Sequence, residues 1–441
     1  MNQTIQFHKQ PAERFLNPHQ ASRRAPTSFE DLLGDAIERG FAAGHWELDA
    51  LVNYLNASGS QALSGQPWTA DSFAALMEQG SQEDVYKNIS SPYTPPDLPA
   101  APTKHADPKS VDAVLQQGLK NLWYSICPSD FVTDKPQALR RLGLRLAVWR
   151  DLEGRVHALE DHCPHRGAPL SQGVNLGDRL ACPYHGVEVR CDGMVTKVPA
   201  SPGCPLENKR ATKSFHVQEV AGAVWLYNSA THVDTPPPLV LPPELTDDTT
   251  FANFMCYAEW KGDYRYVIDN VLDPMHGTFL HKQSHSMSEG DVHAKFEIRE
   301  TEHGFFFEKA GQRDVNFDWT EWADTGTHWM RLEIPYPKTG GPGGSFIIIG
   351  SYTPITPTLS AVFFWRVRRV QGWQRHVWQF LYRNRLEARH WTVLEQDRVM
   401  MEAMEPDANQ REQLYAHDAG VVRIRRIMQN AAKRQIAAST V

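Results

Sequence analysis

Apolar residues recur at helical spacing near the start of the chain. Phe29, Leu32, Leu33, Ala36, Ile37 and Phe41 share one side of a segment that Thr27 or Ser28 can cap and that ends near Gly44. The same reading predicts a helix over 47–55 and a third after Thr69, with Phe73, Leu76 and Met77 turned inward before Gly80. Further on the pattern becomes that of strands. Leu142–Trp149 alternates, Arg150–Arg155 makes a turn at Gly154, and Val156–Leu159 resumes the strand. Asp192-Gly193 marks another hairpin, and Val217–Tyr227 reads as one largely apolar strand. The last part mixes strands over 346–353 and 360–367 with a long helix from about Arg383 to Met404. Val421–Arg434 is a basic amphipathic helix, expected to pack on its own subunit rather than to lie on a membrane.

Proline clusters over 90–108 and 229–243 read as extended linkers and divide the chain into 1–110, 111–230 and 231–441. The expected fold class is α+β: an all-β domain, then an antiparallel sheet with helices, preceded by a helical N-terminal extension. The three N-terminal helices could imitate a helix-turn-helix, but residues 1–110 hold 13 acidic and 8 basic side chains. A reader of phosphate backbone should be basic, so no nucleic-acid partner is expected. That extension carries −5 of the chain's formal net charge of −7. No run approaches the ~20 apolar residues of a membrane span, and the first residues show no signal-peptide core, so a cytoplasmic protein is expected. Six cysteines in 441 residues are too few for a disulfide framework, and paired ones are read first as metal ligands.

Cys163-Pro164-His165-Arg166-Gly167 and Cys182-Pro183-Tyr184-His185-Gly186 each offer one thiolate and one imidazole. Structural zinc sites more often take a cysteine pair followed by a histidine pair. Two mixed pairs suit a [2Fe–2S] cluster with both cysteines on one iron and both histidines on the other. Cys127, Cys191, Cys204 and Cys256 read as structural or free, and His162 as a partly exposed side chain. The segment over 118–227 that contains these motifs resembles the Rieske domain of Rieske non-heme iron oxygenases. Respiratory-chain Rieske proteins carry an extra cysteine in each loop. Ala168 and Tyr184 stand at those positions here, which favours the oxygenase type.

A second constellation, Asp269-Asn270-Val271-Leu272-Asp273-Pro274-Met275-His276-Gly277-Thr278-Phe279-Leu280-His281, follows in the third segment. Two histidines and a carboxylate make the facial triad of non-heme Fe(II) oxygenases and leave positions open for dioxygen. The five-residue spacing of His276 and His281 requires a helix to distort or end between them, eased by Gly277, with Asp273 on the face of His276. The string resembles the iron motif of the same family, which implies that His276 and His281 are ligands. By that resemblance Asp397 is the third, with Glu395 and Glu402 as local competitors.

The family likeness, nearest to its phthalate dioxygenase and vanillate O-demethylase branch, implies a terminal oxygenase subunit with a Rieske cluster and a mononuclear Fe(II). It implies O2, a small aromatic substrate, and electrons from a separate NAD(P)H-dependent reductase, with or without a ferredoxin. It also implies a homotrimer in which Asp273 links a cluster histidine, His185, across the interface to His276. The chain shows no glycine-rich nucleotide fingerprint of its own. Arg366, Arg368 and Arg369 could hold a substrate carboxylate, though each reads first as a solvated charge. The competing function is a Rieske electron-transfer or redox-sensing protein.

Overall fold

The computed structural model describes residues 20–21, 25–81, 110–273, 275–281, 293–311, 319–334 and 341–439. The proline cluster over 90–108 lies outside them. The three N-terminal helices form at Ser28–Ala42, Leu48–Ala57 and Ala70–Ser81. Thr27 and Glu30 make a reciprocal capping box on the first.

The β-rich part consists of three small antiparallel sheets. The strand expected from Leu142 begins only at Leu144, after a turn, and the strand expected over Val217–Tyr227 proves to be a hairpin. Leu142 and Gly143 take positive φ between Gln137–Arg141 and Leu144–Arg150, and Ala221 and Gly222 do so between Val217–Val220 and Ala223–Asn228. Positive φ at both central positions is the tight primed turn, but Leu and Ala at its first position conceal it in the sequence.

Beyond residue 250 the chain folds into a seven-stranded antiparallel sheet. Its edge strand is Phe251–Trp260, which pairs with the long strand Leu359–Arg369, which in turn pairs with Phe346–Thr356. The side-chain amide of Gln20 covers that edge, donating to the Tyr257 carbonyl and accepting from its N–H. One face of the sheet, with Tyr257, Phe363 and Trp365, packs on Trp123, Trp225 and Tyr227 of the β-rich part. Ser125 and Ser351 hydroxyls bond at 2.9 Å in this seam, and Trp225 stacks on Trp365. Residues 229–242 lie along it too, with Val233, Leu239 and Leu241 packed into the core, so this stretch is a packed strap rather than a free linker.

The opposite face is covered by helices Tyr264–Val271, Glu387–Ala403 and Ala419–Ala438. The last buries Val421, Ile424, Met428 and Ala432, which satisfies its apolar face without a membrane. No helix among the described residues is long and apolar enough to cross one. A single turn of π-helix, Tyr382–Leu386, joins Gly372–Leu381 to Glu387–Ala403, so the helix expected from about Arg383 starts in that π-turn and an unanticipated helix precedes it.

The N-terminal helices share a core with this unit. Trp68, Phe73 and Met77 join Val377, Trp378 and Leu381, all buried. The acidity of the extension is met there as well: Arg385 pairs with Asp31 and Glu38, and Arg389 with Glu38. Gly34 lets Arg385 lie across the first helix, since a Cβ would stand 2.7 Å from its Cδ.

Candidate metal centres

The two Cys-Pro loops are built alike. In each, the cysteine N–H bonds the carbonyl five residues on (Ala168 or Val187), and the N–H four residues on (Gly167 or Gly186) returns to the cysteine carbonyl. Both glycines adopt positive φ, which the closure of each loop requires. Asp161 ties the first loop down by accepting from the Ser171 N–H and hydroxyl at 2.8 Å. Cys163 and Cys182 are buried in a core of their own with Trp149, Leu159, Leu170 and Leu180. His165 is exposed and His185 half-buried, their rings 4.8 Å apart and nearly perpendicular. Burial, reinforced by the neighbouring Cys182 sulfur, pushes the Cys163 thiol up to about 11. A buried thiol pair beneath a more accessible imidazole pair fits a cluster with its histidine-bound iron outermost. His162 is exposed and lies against Gly167, outside the ligand set.

The second centre draws on two distant segments. Helix His276–Leu280 is only five residues long, and His281 follows it at φ −107°, so the helix ends between the two histidines as the spacing requires. Asp397 comes from helix Glu387–Ala403. Ligand atoms of His276, His281 and Asp397 lie within 4.8 Å of one another, and no other such group of three occurs among the described residues. His281 Nε2 stands 3.0 Å from Asp397 Oδ1, and His276 Nε2 stands 3.5 Å from it. His281 Nε2 and Asp397 Oδ1 are nevertheless buried without a hydrogen-bond partner, since they are not aligned on each other. Such orphaned atoms are the donor set of a divalent metal.

The outer nitrogens hold the rings in place. His281 Nδ1–H donates to Gln396 Oε1 at 2.8 Å, and His276 Nδ1–H to the Asp273 carbonyl. Each bond leaves Nε2 as the free acceptor facing the site. Burial would raise the Asp397 carboxyl, but the two imidazoles outweigh it and hold it well below the usual carboxylate range. Asp397 in turn raises His276 against the opposing effect of burial. Asp273 sits in the link before the short helix rather than on a helical face shared with His276. One of its carboxylate oxygens accepts from the Met275 N–H, and the other lies 3.9 Å from His276 Nδ1. Glu395 and Glu402 both pair with Arg398, which removes them as competitors of Asp397.

Three family models match the chain: a Rieske [2Fe–2S] domain over residues 122–216, a vanillate O-demethylase oxygenase C-terminal domain over 260–434, and a recombinase-like helix-turn-helix domain over 11–82. The chain joins a Rieske domain to a vanillate O-demethylase-type oxygenase domain. Its sequence is 37% identical over 172 residues to a vanillate O-demethylase oxygenase subunit of Pseudomonas sp. (strain HR199 / DSM 7063), covering 39% of this chain and 48% of that one. The oxygenase component of dicamba O-demethylase from Stenotrophomonas maltophilia is 30% identical over 169 residues, covering 37% and 48%. The chain thus spans about half the length of the curated relatives it matches. In fold it is similar to dicamba monooxygenase, with TM-score 0.57 and 21% identity over 72% of this chain and 98% of that one. It is also similar to the oxygenase of carbazole 1,9a-dioxygenase, with TM-score 0.59 and 20% identity over 73% and 92%.

Cys163, His165, Cys182 and His185 fall within the matched Rieske segment, and His276, His281 and Asp397 within the matched C-terminal oxygenase segment. Gln396 escaped the sequence reading. Its one signal is that it precedes the carboxylate ligand on the same helix. The arginines also need correction: Arg366 and Arg368 are buried, and Arg369 alone is exposed.

Proposed function

We propose that this protein is the oxygenase component of a Rieske non-heme iron oxygenase system. It uses O2, and electrons from a separate NAD(P)H-dependent reductase, to hydroxylate, dihydroxylate or demethylate a small aromatic substrate. The observation that carries this reading is the convergence of His276, His281 and Asp397 in a chain that also folds the two Cys-Pro loops. A Rieske electron carrier has no use for the second centre. The cluster supplies electrons singly, and the mononuclear iron supplies the position at which dioxygen is activated. The protein's part is to fix the donor set. Gln396 and the Asp273 carbonyl hold the imidazole tautomers, and the helices over the sheet keep the carboxylate dry.

The reading includes a homotrimer in which the cluster of one copy meets the iron site of the next, with Asp273 bridging to His276. Exposed apolar side chains near both centres support it: Tyr184 beside His185 is 59% exposed, and Phe279 between the iron histidines is 62% exposed. The reading also includes an N-terminal extension that acts as a packing element rather than a reader of DNA. Its third helix packs on helix Gly372–Leu381, and acids of its first pair with Arg385 and Arg389. The test is a single turnover of the chemically reduced protein with O2 against aromatic acids and methyl ethers. Formaldehyde marks demethylation and a dihydrodiol marks dihydroxylation. Absence of any oxygenated product across the panel contradicts the proposal.

A further inference from the structure

The two imidazoles beside the Cys-Pro loops are not braced alike. The Tyr184 ring lies against His185 with centroids 3.9 Å apart and planes inclined at 37°, so close that the rings meet by their faces. His165 meets His185 edge-on at 4.8 Å, and among the described residues no other ring meets His165. Arg166, from the first loop, reaches over the Tyr184 ring of the second, its guanidinium carbon 5.8 Å from the centroid. Guanidinium, phenol and imidazole thus form one stack that crosses from loop to loop.

Neither outer member of the stack is needed to close its loop. The Gly186 N–H returns to the Cys182 carbonyl at 3.0 Å, and the Cys182 N–H reaches the Val187 carbonyl at 2.8 Å. The first loop is closed in the same way by the Gly167 N–H on the Cys163 carbonyl, at 2.8 Å. Tyr184 is 59% exposed and Arg166 is exposed too, so their burial contributes little to the core. What the pair does engage is the His185 ring.

The electrostatics of such a stack have a definite sign. Two sulfides and two thiolates balance two ferric ions, so a cluster held by Cys163, His165, Cys182 and His185 is neutral when oxidised and anionic when reduced. The face of an aromatic ring is its negative side. Tyr184 on His185 therefore opposes the incoming electron, and it also keeps away water that would solvate the reduced charge. The Arg166 cation favours the electron and is attracted to the same ring.

We propose that Tyr184 and Arg166 are positioning residues for electron transfer through His185. Tyr184 fixes the imidazole plane and lowers the cluster's reduction potential, while Arg166 holds Tyr184 in place and raises that potential. This deepens the oxygenase reading and rests on it for the four cluster ligands. It also gives a fixed plane to the imidazole that the trimer reading uses as the exit for the electron.

The test is the midpoint potential of the purified holoprotein at neutral pH, from a mediated titration followed in the cluster's visible absorbance and in the EPR signal of its reduced form. Tyr184→Leu is expected to shift the equilibrium about three- to tenfold toward the reduced form, which for a one-electron couple is about 30–60 mV upward. Its EPR signal broadens as the imidazole plane is released. Tyr184→Phe keeps the ring face and stays at the parent's potential. Arg166→Gln shifts the equilibrium the other way, and that shift fades toward about 1 M salt because the charge is exposed. An unchanged or lower potential in Tyr184→Leu overturns the proposal, as does a Tyr184→Phe shift as large as the leucine one, or a higher potential in Arg166→Gln. If sulfide analysis shows that Tyr184→Leu holds no cluster, Tyr184→Met and the sign of the Arg166→Gln shift decide. Because the potential is read without substrate, the expected shifts in a protein that oxygenates nothing sink the oxygenase reading alone. Turnover with potentials unmoved sinks the positioning role alone.

Discussion

His281 Nε2 and Asp397 Oδ1 face one site from 3.0 Å apart, while the residue preceding Asp397, Gln396, holds the far side of the same imidazole at 2.8 Å. One helix therefore supplies both a carboxylate of the candidate metal group and the clamp on one of its imidazoles. Gln396→Leu removes the clamp and leaves the three donors in place. The expected result is a 10- to 100-fold loss of iron affinity or turnover, with the cluster's visible absorbance unchanged. Chelator competition measures the first and product formation the second.

Asp273 has a backbone carbonyl on His276 and a carboxylate close by. Asp273→Asn keeps the carbonyl and changes only the carboxylate. Both metal centres should load normally while steady-state turnover is largely lost. Unchanged turnover would remove the bridging role.

Glu387 links pH to stability. Burial raises its carboxyl to about 7, although the Ala21 N–H, Trp391 and Arg366 each pull it down. The folded state then binds more protons than the unfolded chain between about pH 4.5 and 7. Its contribution is fully present below that window and is lost as pH rises through it. Asp269, raised to about 6 by burial despite Arg425, acts with the same sign. Urea melts at pH 5 and pH 8 should show Glu387→Gln losing less stability between them than the parent, by roughly 1–3 kcal/mol.

The N-terminal helices form one core with helix Gly372–Leu381. Phe73→Ala, in the third of them, should cost about 3–5 kcal/mol in urea unfolding followed by tryptophan fluorescence. A transition of the remaining chain that is unmoved by this change would show the extension to be a separate unit.

The candidate metal-binding residues stood out in the sequence because cysteine–proline loops and the Asp-x-x-His string are dense local patterns. Their convergence did not, since Asp397 reaches His281 only through the packing of a helix over the sheet. Arg366 and Arg368 were misjudged for a related reason. Strand Leu359–Arg369 is covered on both faces, so almost every position in it is buried and alternation carries no signal. The N-terminal helices were predictable from their caps and apolar faces, but an amphipathic face does not name what covers it. The hairpin turns at Leu142-Gly143 and Ala221-Gly222 were lost to atypical residues at positive φ.

The claim on which the rest depends is that one chain carries two separate iron centres. Iron and acid-labile sulfide analysis of the purified protein tests it directly. The account predicts about three irons and about two sulfides per chain, falling to about two irons in Asp397→Ala with sulfide and cluster absorbance unchanged. About two irons in the parent, with no change on substitution of Asp397, would contradict it.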